Sequence, residues 1–176
     1  MHPPQVDGPR HGARTAASPR SGIVVRMFDV LVFLYENYWR PDACPDEQQL
    51  RRKLSAVGFE SEEIQEALRW LDGLADSAES HAMPQSPGSH RIYTAAERET
   101  LGDASINFLA FLESSGVLPA AMREMVIDRA MAVGDGPMDL EDLKIIVLMI
   151  FWSLGEEPDA LILDELFVDD EDRLIH

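Results

Sequence analysis

The sequence predicts an all-α protein, with an N-terminal winged-helix-like three-helix unit packed against a C-terminal helical bundle. Three observations carry that prediction. Apolar residues return at i, i+3, i+4 and i+7 through successive stretches, the period of a helix with one buried face. Helix-starting residues stand before those stretches (Asp46, Ser61, Thr94, Asp139), and Gly58 and Gly116 stand after two of them. Only Arg91-Ile92-Tyr93 reads as a short strand.

Met27 to Trp39 (MFDVLVFLYENYW) is apolar on nearly every side, with Asp29 and Glu36 its only charges. Such a helix belongs at the centre of a fold. Pro41 and Pro45 stop it, and Asp46 with Gln49 three residues on makes a variant capping box. The second helix carries Leu50, Leu54 and Val57 as its stripe and closes at Gly58. Ser61 caps a third helix with Ile64, Ala67, Leu68, Leu71 and Leu74 on one face. From Asp76 to His90 the chain turns to Ser, Pro, Gly and Gln, the composition of a flexible loop. Thr94-Ala95-Ala96-Glu97 is a capping box opening a fourth helix, with Leu101, Ile106, Phe108, Leu109, Phe111 and Leu112. Pro119 suits the first turn of a fifth, carrying Met122, Met125, Val126 and Met131. Asp139 caps a sixth, Leu140 to Leu154, whose apolar run Ile145–Trp152 is core. Pro158 begins a last short helix ending near Phe167. Three regions follow: a basic extension over 1–26, a winged-helix-like unit over 27–93 containing the loop 76–90, and a bundle with an acidic tail over 94–176. No repeat of roughly 20 to 50 residues recurs, which excludes a solenoid.

Charge is divided sharply along the chain. Residues 1–26 hold four arginines against one acid; the remainder holds 11 basic residues against 31 acids. The first 22 residues also contain four of the 11 prolines and no hydrophobic period, so they read as a disordered arm. An upstream-assigned start, with translation beginning at Met27, is the competing reading. The arm lacks the amphipathic helix of a transit peptide and the apolar core of a secretory signal. No apolar run approaches the ~18 residues that span a bilayer. One cysteine, Cys44, excludes an internal disulfide and suits a reducing cytosol.

In a winged helix the third helix enters the major groove and offers basic or amide side chains. Here its polar positions are Glu62, Glu63, Gln65, Glu66, Arg69 and Asp72, four acids to one base. Carboxylates set against phosphate forfeit the counterion release that drives non-specific binding. The one basic cluster, Arg51-Arg52-Lys53, fans over ~200° of its helix and forms no patch. Direct nucleic-acid binding is therefore disfavoured, and a basic protein is the expected partner.

Several segments together are familiar: MFDVLVFLYENY at Met27, Ala67-Leu68-x-Trp70-Leu71, Arg91-Ile92-Tyr93-Thr94, Arg123 to Arg129 (REMVIDR) and Leu140 to Lys144 (LEDLK). From Met27 to Phe167 the chain closely resembles the bacterial Smg family. The resemblance implies a small cytoplasmic protein, often encoded beside a DNA-processing protein of natural transformation, and no established activity. It also implies a start at the methionine matching Met27. The arginine-rich arm and the loop around His81 to Ser89 depart from the family.

Catalytic signatures are missing: no H-E-x-x-H, no G-x-S-x-G, no G-x-x-x-x-G-K-[ST]. Gly134-x-Gly136 follows a helix and reads as a turn. His81, His90 and Cys44 lack the spacing of metal ligands, so neither metal nor cofactor is expected. Two clusters remain as interaction candidates. Arg123, Glu124, Asp128 and Arg129 form the first, which as paired carboxylates could alternatively serve a small-ligand or catalytic site, or act as ion pairs fixing the fifth helix. The second is the tail, with nine acids from Glu156 to His176, including Asp169, Asp170, Glu171 and Asp172. The contiguous DDED lacks the spaced oxygens and glycine of a Ca²⁺ loop, and reads as a solvating or docking segment. The expected function is a non-enzymatic, acidic helical adaptor for a basic protein, one acting in DNA or RNA processing.

Overall fold

The computed structural model describes residues 22–80, 90–134, 136–160 and 164, and among them it is helical with no strand. Six α-helices follow in order: α1 Gly22–Asn37, α2 Glu47–Val57, α3 Ser61–Ser80, α4 Ala95–Ser114, α5 Ala120–Val133 and α6 Leu140–Ser153. A short 3-10 turn, Pro41–Ala43, bridges α1 and α2. Helix α1 packs on α3 and α6, α3 packs on α5, and α5 also contacts α4 and α6. One apolar cluster runs through all of them, from Met27 to Trp152.

The local rules explain most boundaries. The Asp46 carboxylate accepts the Gln49 amide at 2.9 Å, capping α2. Thr94 and Glu97 close a complete capping box at α4. Leu143 and Ile146 to Trp152 are buried on α6, as the apolar run requires. Asp139 takes the N-cap position of α6 without a side-chain capping bond.

The departures have identifiable causes. Helix α1 begins at Gly22, upstream of Met27, and Arg26 reaches Glu63 of α3 at 3.4 Å. Ser61 lies inside α3 and does not cap it; the Glu63 carboxylate accepts the Glu60 amide at 2.9 Å instead. That role buries Glu63, which the sequence pattern placed on the open face. Residues 76–80, expected as loop, extend α3, because Ser77 and Ala78 continue its inward stripe. Arg91-Ile92-Tyr93 is irregular and not a strand; its backbone has no strand to pair with among the described residues. Val57 and Phe111, assigned to apolar stripes, are 57 % and 49 % exposed.

Helix α4 is broken at Gly102, whose φ of 72° lies where only glycine is at ease. The Thr100 carbonyl beside the break accepts the Met138 amide at 2.7 Å, tying the α5–α6 connection to α4. Of the last expected helix, Pro158 and Asp159 are irregular, Ala160 and Asp164 have helical backbone, and the remainder lies outside the described residues. The extension 1–21, His81 and the acidic run Asp169 to Asp172 lie outside them too.

Candidate interaction site

Residues Arg123, Glu124, Asp128 and Arg129 share one short stretch of α5 but serve two different contacts. Arg123 is 3 % exposed. Its guanidinium donates to Glu113 at the end of α4 and to Glu124 at 3.0 and 3.1 Å. Glu124 in turn accepts from Arg91 at 2.9 and 3.2 Å. Arg91 continues the chain to Glu97 with two further bonds of 2.8 and 2.9 Å. Alternating charges thus connect the segment before α4, both ends of α4, and α5. Charge-assisted bidentate pairs of this kind fix geometry strongly. They hold the Glu97 carboxyl below its usual range, chiefly through the hydrogen bonds from Arg91, and raise the Arg91 pKa further.

Arg129 reaches α3, with Asp128 paired to its guanidinium. Arg129 bonds Asp128 at 2.9 and 3.1 Å, and its Nη1 approaches the Trp70 carbonyl at 3.4 Å. The Trp70 indole N–H donates back to the Arg129 carbonyl at 3.2 Å. The guanidinium lies against Gly73, where a Cβ would stand 2.0 Å from Nη1. Glycine is needed there for close approach. Glu124 and Asp128, candidate partners in acid–base work, are bound to different guanidinium groups.

A different surface is left open. Trp39, just past α1, is 72 % exposed. Arg40 stacks over its ring at 4.5 Å and also lies close to Gly155. Around them a groove of about 580 Å³ is lined by Tyr35, Glu36, Trp39, Trp152, Glu156 and Glu157, with Arg40 as its only cation among the described residues. Burial, then the Glu157 charge, raises the Tyr35 pKa, so its hydroxyl stays a donor. Leu154, 41 % exposed, lies beside Arg40 and widens the apolar rim. Tyrosine, tryptophan and arginine are the residues that most often dominate protein–protein binding energy.

Trp152 is shared with a second cavity, of about 340 Å³, walled mainly by leucines and by Cys44. The Trp152 indole N–H donates to the Tyr38 carbonyl at 2.7 Å, which fixes the partition between the two. Burial, then Asp42, raises the Cys44 thiol pKa, so the thiol is held neutral. Neither cavity was foreseen. Helical period marks Leu68 and Leu71 as inward-facing, yet both are only half-buried and line the second cavity. Trp39 directly before Arg40-Pro41 was the one available signal, since a residue at a proline-terminated helix end has fewer neighbours to cover it. No group of three His, Cys, Asp or Glu gathers as a metal centre among the described residues. Nor is any described helix long and apolar enough to cross a membrane.

Fold and surface together define a class: an acidic, all-helical protein with a buried ion-pair chain and an open aromatic groove. The chain belongs to the Smg family. Its family model, described as "Protein of unknown function (DUF494)", matches residues 27–176. Similar proteins named "Protein Smg homolog" come from Methylibium petroleiphilum and Leptothrix cholodnii. Each is 75% identical over 150 residues, covering 85% of this chain and 100% of the relative. Another, from Herminiimonas arsenicoxydans, is 52% identical over 159 residues with the same coverage. No solved structure matches the chain.

Proposed function

We propose that this protein is a non-enzymatic adaptor that docks a basic partner protein in the groove around Trp39. The observation that carries the reading is an exposed indole flanked by Glu36, Glu156 and Glu157 on a chain of net charge −17. An aromatic anchor ringed by one sign of charge combines a desolvated contact with electrostatic steering. The acidic run Asp169 to Asp172 extends the same field along the sequence. A partner engaged with nucleic acid has the required basic surface, and a reducing cytosol fits the single cysteine. Arg123, Glu124, Asp128 and Arg129 act here as structural pairs, since each hydrogen-bonds within the fold.

Affinity capture from a bacterial lysate, using the full chain, Trp39→Ala and a variant truncated before Asp169, tests this. The reading expects one basic protein retained at low salt, lost at high salt, and lost with Trp39→Ala. Equal recovery by wild type and Trp39→Ala contradicts it.

A further inference from the structure

The second cavity carries an inference independent of any partner protein. Its volume of about 340 Å³ lies within the range of small-molecule sites. Its walls are set by the core: Leu34 is fully buried, Leu50 and Leu74 are nearly so, and Trp152 is pinned by its indole hydrogen bond. A cavity whose walls are held from behind does not close when empty.

Its charges select among ligands. Among the described residues the lining contains two carboxylates, Glu47 and Asp72, and no lysine, arginine or histidine. Glu47 is already engaged by Arg51 at 2.8 Å. Asp72 makes no ion pair among the described residues. An anionic ligand would meet a carboxylate rim with no compensating cation, whereas a cation would find an unengaged partner.

We propose that the cavity between Leu34, Leu50, Leu68, Leu71 and Trp152 binds a small apolar amine, its hydrocarbon body against the leucines and its ammonium group on Asp72. The neutral Cys44 thiol adds no charge to the wall. It is also the only cysteine of the chain, and so a built-in reporter of occupancy.

The test follows the rate at which N-ethylmaleimide alkylates Cys44 in the full chain, at neutral pH and physiological salt. Naphthylethylamine is titrated against naphthylpropanoate, a pair alike in body and opposite in charge. Saturable protection is expected from the amine, at a concentration roughly tenfold lower than the acid requires, as a charge-assisted contact implies. Net charge alone favours any cation over an anion, so Asp72→Asn is the deciding arm. It changes the formal charge only from −17 to −16. Asp72 is exposed, so the substitution does not threaten the core. In that variant the amine is expected to weaken roughly tenfold. Glu47→Gln, with its partner already Arg51, should leave amine protection within about twofold. Alkylation unaffected by the amine, or slowed to the same extent in Asp72→Asn, overturns the proposal. So does equal protection by the two analogues in the wild type.

Discussion

The α4–α5 side of this molecule and the corner where α1 turns into α2 handle polar residues in opposite ways. On the first side, five charged side chains (Arg91, Glu97, Glu113, Arg123 and Glu124) bond one another, and the central Arg123 is nearly inaccessible. At the corner, Trp39 and Asp72 face solvent and two cavities open on either side of Trp152. The denser charge cluster in the sequence is thus the one whose hydrogen bonds are already used. A surface for binding is marked by what the fold leaves uncovered, and charge density alone does not report that.

The comparison breaks most visibly at Arg123. Removing one partner of a buried ion pair strands the others, and Arg123→Ala is expected to cost about 3–5 kcal/mol. For a chain of this size that lowers Tm by roughly 10 °C or more. A calorimetric melt checks it, and a shift near zero would mean the network adds nothing to the fold.

A smaller effect, of either sign, is expected at Gly73. Alanine there forces the Arg129 guanidinium off α3, so Gly73→Ala should destabilise the wild type by about 1 kcal/mol. With Arg129→Ala already in place the clash is gone, and the helix propensity of alanine should make the same change stabilising by about 0.5–1 kcal/mol. Urea unfolding of the four proteins in the cycle measures both signs. Strictly additive effects would show that Arg129 does not lie on Gly73.

Acid should act on the same side of the molecule. Glu97 is held below its ordinary pKa mainly by Arg91. A carboxylate depressed in the folded state stabilises above its unfolded pKa, ~4.3, and loses that contribution as pH falls through the folded value. Unfolding free energy should therefore drop below about pH 5 in the wild type. The drop should be shallower in Arg91→Ala, where that depression is relieved. Titrating denaturant midpoints of both proteins from neutral to acid pH compares the slopes.

The smallest effect on stability belongs to the corner. Trp39→Ala removes an exposed side chain and should change stability by no more than about 0.5 kcal/mol. A larger loss would mean that the indole is part of the fold.

How far sequence carries depends on which physics sets each feature. Helix α2 and the start of α4 were legible because Asp46, Thr94 and Glu97 act within one turn of the backbone they cap. The α6 core was legible because eight apolar residues in a row leave no exposed face to choose. Glu63 was not: among the described residues Arg26 and the Glu60 amide, placed by the fold, make a buried carboxylate tolerable there. The same holds for Arg91, which looked like strand and is the hinge of an ion-pair chain linking residues 33 apart. Arg123 to Arg129 was visible as a cluster, but its division between α3 and α4 is set by tertiary packing. The cavities were invisible for a related reason. Leu68 and Leu71 have the spacing of core residues, yet in the fold they line a cavity with Leu50 of α2 and Trp152 of α6.

The division of labour between the two regions is tested most directly by measuring capture and melting on the same pair of variants. Trp39→Ala should melt within about 2 °C of wild type yet recover no basic partner, while Arg91→Ala should melt lower and still recover it at temperatures where it is folded. Retention of the partner by Trp39→Ala, together with its loss from folded Arg91→Ala, would place the binding surface on the α4–α5 side and contradict the account.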